Sequence, residues 1–166
     1  MKFFVLVSTI FLFSQSGCVN PFAPSLFNGE GYLCSDFTKI ENIFCAFQNS
    51  YSYKDTILYS SILDNDFTFY YRDYENSVDI SWLKEEEMKT TFGLFISAQQ
   101  LNLIWNDVIN SNITDTTATI YRPFDLTIKF NPNDIVRIDG YANFTLSREN
   151  KTSYWKILRW KDESNF

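Results

Sequence analysis

The 166-residue chain contains no histidine, and that single absence removes most of the common catalytic and metal chemistry. Ser-His-Asp and Cys-His arrangements, the commonest general base and nearly every His-containing metal site require an imidazole. Cys34 and Cys45 cannot build a zinc site alone, and no phosphate-cradling loop forms among only five glycines. Carboxylate and tyrosine chemistry remains. An Asp desolvated by apolar surroundings can act as a general base while a Tyr hydroxyl holds a developing oxyanion. Tyr70, Tyr71 and Tyr121 could supply such a hydroxyl, and Asp107 or Asp162 the base. Both acids fall near predicted strand ends, where carboxylates are ordinarily solvated, and Asp125 sits opposite an apolar stripe and should face water. No catalytic residue is assigned on this basis, and no metal or cofactor is expected.

Trp and Tyr join apolar bulk to one hydrogen-bonding atom, which suits a small-molecule pocket. Tyr70, Trp82, Trp105 and Trp155 are the pocket candidates, although each also fits a plain core position. With 17 Phe, 10 Tyr and 4 Trp, the aromatic content is enough to fill a core by itself. Two acidic runs have simpler explanations than metal binding. Asp64-Asn65-Asp66 lacks the glycine and distal Glu of a calcium loop and reads as a turn. Glu85, Glu86 and Glu87 point in different directions around a helix and stabilise the positive end of its dipole.

A formal net charge of −6, with no Lys/Arg cluster, is a poor footprint for nucleic acid, and that class is set aside. The leader is more informative. Lys2 precedes an apolar run from Phe3 to Phe13, and Ser14 to Gly17 bring the chain to Cys18. Such a segment is an export signal, too short to span a bilayer and stay. Ser16-Gly17-Cys18 resembles the bacterial lipobox, with Gln15 where that pattern usually has Leu. The resemblance implies acylation of Cys18 and a membrane partner through that lipid. Ordinary cleavage after Ser16, which uses the small side chains of Ser14 and Ser16, is the alternative and would give a secreted or periplasmic soluble protein. The expected organisation is a signal peptide over 1–17, a lipid-anchored tether over 18–36, and one domain over 37–163. Cys45 lies inside a predicted helix and Cys34 ahead of it, so pairing requires the chain to fold back along that helix. A free buried thiol is the expectation. The sequons at Asn112, Asn143 and Asn150 read as coincidence in a chain rich in Asn and Thr.

The elements that must position these groups follow from periodicity. Thr38 and Glu41 have capping-box spacing ahead of Ile40, Ile43, Phe44 and Phe47, predicting a first helix to about Tyr51. Asp55 caps a short second helix. Phe67 to Arg72 reads as a strand, and Ser81 caps a third helix burying Met88, Phe92 and Phe95. Alternation from Ala98 predicts a long strand through Trp105, and Thr117 to Phe130 predicts another with Pro123 at a bulge or edge. Asn131-Pro132-Asn133-Asp134 turns the chain into Ile135–Ser147, where Gly140 marks a further bulge, and Tyr154 to Asp162 ends the sheet. Three N-terminal helices followed by a strand meander define an α+β domain, with helices on one face of a mostly antiparallel sheet.

Three local echoes carry a resemblance: Glu41-Asn42-Ile43-Phe44-Cys45-Ala46-Phe47, Ser81-Trp82 with its Glu run, and the terminal Trp155-Lys156-Ile157-Leu158-Arg159-Trp160-Lys161-Asp162. In this order the chain resembles the NTF2-like superfamily, in particular its small bacterial lipoproteins, over about residues 38 to 162. That resemblance implies a cone, with helices on a strongly curved sheet and a cavity opening toward one end. Members use the cone as an active site (isomerases, dehydratases, cyclases), as a binding pocket or as a dimerisation surface. The leading expectation is an exported, lipid-anchored domain without a catalytic set, binding a small apolar ligand or forming a homodimer in the cell envelope. The alternatives are a carboxylate/tyrosine enzyme acting in the cone and a protein-interaction module using the sheet face.

Overall fold

The structure, a computed structural model, describes residues 34–74 and 76–163. The leader, Cys18 and most of the tether lie outside the described residues. Three helices and seven strands follow in chain order: α1 (Ile40–Tyr53), α2 (Thr56–Ile62), β1 (Leu63–Asp73), β2 (Val78–Leu83), α3 (Lys84–Ser97), β3 (Gln100–Trp105), β4 (Asn110–Ile113), β5 (Thr117–Asn131), β6 (Asp134–Ser147) and β7 (Lys156–Asp162). Together they make an α+β domain in which the helices pack on one face of a curved, unclosed sheet.

Local chemistry explains the helix ends. Asp55 caps α2 as expected, accepting from Ile57 N at 3.0 Å and Leu58 N at 2.9 Å. The predicted capping box of α1 does not form. Thr38 instead donates to Asp36 in a short turn (2.5 Å), and Lys39 stands at the N-cap without a side-chain bond. Ser81 is not a cap either: β2 runs on through Trp82, and α3 begins at Lys84. Lysines from neighbouring elements close the C-termini. Lys54 reaches Ala98 O, Lys156 reaches Ser61 O, and Lys84 donates to Ser60 O (3.1 Å) and Leu63 O (3.0 Å). Their charges meet the negative ends of α3 and α2.

The sheet order is β2-β1-β7-β6-β5-β3, with β4 also on β5. Among the described residues only the β1·β7 pair is parallel, and β7 sits centrally between β1 and β6. Asp64-Asn65-Asp66 lies inside β1 rather than in a turn. The β1·β7 register shifts between Leu63 and Thr68, and Asp64 Oδ1 accepts from Asp66 N within that irregularity. Pro123 sits where the neighbour of β5 changes from β3 to β4. Asn106 N bonds Pro123 O there, and the edge on which proline lacks a donor carries no regular ladder. Gly140 is in regular register opposite Phe124, so the expected bulge is absent; the shift falls at Lys129/Asn131, next to the turn.

One line of side chains crosses the concave face from strand to strand: Trp82, Phe69, Trp160, Phe144 and Ile120 are successive register partners. The helices press Phe44, Phe47, Tyr51, Tyr59 and Phe95 onto this surface. Phe47 is the hub, with Tyr59, Trp105, Phe144 and Trp160 at ring-centroid distances of 5.1, 5.3, 6.0 and 5.4 Å. Buried aromatics of this kind each contribute about 2–3 kcal/mol by removal from water. Phe92, expected inside, is 54% exposed, because Glu87, Thr91 and Phe95 form the buried stripe of α3.

Cys34 and Cys45 form a disulfide with Cα atoms 5.6 Å apart, contrary to the expected free thiols. The chain does fold back along α1. The turn at Asp36 reverses it, and Trp155 N holds Phe37 O at 2.8 Å, laying this segment against the helix.

Candidate functional site

Glu87 is the buried ionisable centre of the cone, 3% exposed on the inner stripe of α3. Its Oε1 accepts the Tyr59 hydroxyl at 2.6 Å and the Thr91 hydroxyl at 3.0 Å, while Oε2 accepts the Trp82 indole at 2.7 Å. Three residues from α2, β2 and α3 thus meet on one carboxylate. Burial pushes the Tyr59 and Tyr51 hydroxyls above their ordinary range, and the Glu87 charge adds to the shift of both. Both carboxylate oxygens are engaged by donors of the protein itself. A general base must instead be poised and within reach of substrate, so this arrangement ties α3 to α2 and β2 rather than presenting a base.

Beyond Glu87, Trp82, Tyr71, Leu126, Ile138 and Trp160 are half-buried against the core. Trp160 Nε1 is buried without a hydrogen-bond partner. Phe69 and Phe47 stand edge-to-face to its ring at 4.9 and 5.4 Å, and such rings offer an N–H only weak acceptance.

The structure scatters the four pocket candidates. Trp82 joins the Glu87 cluster and stacks on Phe69 at 4.4 Å. Trp105 is a core residue whose indole donates to Phe44 O at 3.2 Å. Trp155 is buried with the Arg148 guanidinium 4.1 Å above its ring. Tyr70, out of phase with the inward-facing Phe69 and Tyr71, carries Arg159 over its ring at 5.5 Å. The acid and hydroxyl candidates are equally dispersed. Asp107 is exposed in the β3–β4 connection. Asp162 is half-buried at the end of β7, its charge felt by Tyr51. Tyr71 packs near Trp82, and Tyr121 stacks on Tyr141 at 5.4 Å. Glu87, Tyr59, Tyr51 and Thr91 were not singled out as site residues. The four-residue spacing of Glu87, Thr91 and Phe95 was the available signal. Among the described residues no group of three His, Cys, Asp or Glu could hold a metal ion.

A second feature is an open groove of about 680 Å³ between the start of α1, β4, and the Arg148–Trp155 connection. Ile40, Val108, Ile113 and Ile120 supply its apolar walls. Its charged rim is largely neutralised. Glu41 is bridged by Arg122 at 2.9 Å, Lys39 by Asp36 at 3.3 Å, and the nearby Asp115 by Lys151 at 3.3 Å. Arg148 spends its Nε on Asp115 O at 2.7 Å.

By sequence the chain matches no family model and no curated protein. By structure it has the NTF2-like fold. It is similar to a protein of Kribbella flavida (TM-score 0.66, 12% identity, covering 79% of this chain and 91% of that one). It is also similar to a candidate dehydratase of the NTF2-like family from Streptomyces avermitilis (0.62, 14%, 79% and 97%). A candidate scytalone dehydratase from Novosphingobium aromaticivorans is a further neighbour (0.61, 11%, 76% and 82%). At these identities the likeness defines the fold and leaves the chemistry to the site.

Proposed function

We propose that this chain is an exported, lipid-anchored, NTF2-like binding domain that holds a small apolar or amphipathic ligand and carries out no reaction on it. Export and the anchor rest on the leader and Cys18. The observation that carries the non-catalytic reading is the state of Glu87: 3% exposed and bonded to three donors, in an interior filled by rings around Phe47. Binding then falls to the open groove beside α1, whose volume of about 680 Å³ suits a small ligand.

The second reading is an isomerase, dehydratase or cyclase working in the cone. It is favoured by the contact of a buried carboxylate with a tyrosine hydroxyl at 2.6 Å, and by the names that two structural neighbours carry. The test is a titration with 1-decanol followed by amide and indole NMR shifts. Shifts gathered at Ile40, Ile113 and Trp155 are expected. Shifts gathered at Tyr59, Thr91 and Trp82 would move the site into the cone and support the enzyme. No saturable shift at either place would end the binding proposal.

A further inference from the structure

The groove has an electrostatic asymmetry that narrows the ligand, granting the binding reading above. Asp107 and Glu149, exposed next to Val108 and Arg148, have no ion pair among the described residues, whereas Glu41 is paired with Arg122, Asp36 with Lys39 and Asp115 with Lys151. Arg148 differs from the paired cations. Its guanidinium carbon sits 4.1 Å from the Trp155 ring centroid and its Nε donates to Asp115 O, while no carboxylate among the described residues pairs with it. The ring contact and the Nε bond hold the guanidinium in place. Its two Nη groups remain as a preorganised pair of donors beside an apolar wall formed by Ile113, Ile120 and Ile40. A planar two-donor fork matches a carboxylate in geometry as well as charge.

We infer that the groove takes a free alkyl carboxylate, its head on the Nη groups of Arg148 and its chain along Ile113, Ile120 and Ile40. The apolar wall supplies affinity in proportion to the chain length it covers. Arg148, the groove cation that no described carboxylate pairs, supplies the preference for an anionic head over a neutral one. The overall charge of −6 works against anions at long range, so the preference has to come from this local contact.

The experiment is calorimetric titration of the protein with sodium decanoate and with 1-decanol, both kept below aggregation. Decanoate should bind about tenfold more tightly, the effect of one charge-assisted pair at a partly exposed site. Arg148→Gln should erase that ratio and leave decanol binding unchanged. Ile113→Glu, at a residue 56% exposed and so tolerant of change, should abolish decanoate binding even if Arg148→Gln does not fold. Equal affinity for the two probes overturns the carboxylate assignment while the binding reading stands. A decanoate preference that survives in a folded Arg148→Gln protein overturns the role of Arg148. Failure of both probes to bind overturns this inference and the binding proposal together.

Discussion

Replacement of Glu87 separates a carboxylate that holds the fold from one that does chemistry. Glu87→Ala removes the acceptor of three donors, at 2.6 Å from Tyr59, 2.7 Å from Trp82 and 3.0 Å from Thr91. The Thr91 hydroxyl can turn back to a carbonyl of its own helix, so the Tyr59 hydroxyl and the Trp82 indole are the groups left stranded. Stranding a donor that had bonded a charged group costs about 1.5–3 kcal/mol, and the expected loss for Glu87→Ala is about 4 kcal/mol. Glu87→Gln has the same shape and behaves differently. Its carbonyl keeps the Trp82 indole, which can only donate, while the Tyr59 and Thr91 hydroxyls rotate to accept from the amide nitrogen. About 1 kcal/mol or less is expected to be lost. In urea titrations with a slope of about 2 kcal/mol/M, the midpoint should fall by about 2 M for Ala and about 0.5 M for Gln. A Gln variant that falls as far as the Ala variant would refute the reasoning. It would mean that the charge of Glu87, and not its acceptor geometry, holds the site.

Three further outcomes are expected. Trp160→Phe removes a buried donor that has no partner, whereas Trp105→Phe loses the indole bond to the helical carbonyl Phe44 O; by chemical denaturation the first should cost about 1 kcal/mol less than the second. Breaking the Cys34–Cys45 link, which spans a sequence separation of 11, should lower stability by about 3 kcal/mol if it acts mainly on the unfolded chain. An effect under about 0.5 kcal/mol in Cys34→Ser/Cys45→Ser would show that the Trp155–Phe37 contact already fixes this segment. Tyr51 and Tyr59 have raised folded-state values, so their contribution is complete below the unfolded tyrosine range near pH ~10 and is lost as pH climbs beyond it. Lys84, whose value burial lowers, works in the opposite sense, but its gain is complete by about pH 10.4. Stability should then drop with a slope approaching about 2.7 kcal/mol per pH unit for the two tyrosines. Tyrosinate absorbance during native titration should show two of the 10 tyrosines silent until unfolding.

Elements governed by their own residues were legible in the sequence. The Asp55 cap, the Asn131–Asp134 turn and the alternation of the β5–β6 hairpin each rest on local chemistry, and the structure contains them. β4 was not legible, because Asn110-Ser111-Asn112-Ile113 is exposed throughout and has no apolar period. Glu87 was hidden for another reason: dipole stabilisation is a sufficient local account of three acids at a helix start, and nothing local distinguishes the one that turns inward. The same limit applied to Cys34. Its route to Cys45 depends on Phe37 being held by Trp155, a contact between residues far apart in the chain.

The central place of β7 dictates an order of assembly. Until Lys156–Asp162 is in place, β2–β1 is a two-stranded ribbon and β6, β5, β3 and β4 form a separate sheet, with no strand pairing between the two. Phe69 and Phe144, both partners of Trp160, then face open edges. Closure of the sheet has to wait for β7 and for contacts of very long sequence separation, which slows folding. Until β7 is in place the sheet stays divided, and an open chain is the state in which the export proposed for it would take place.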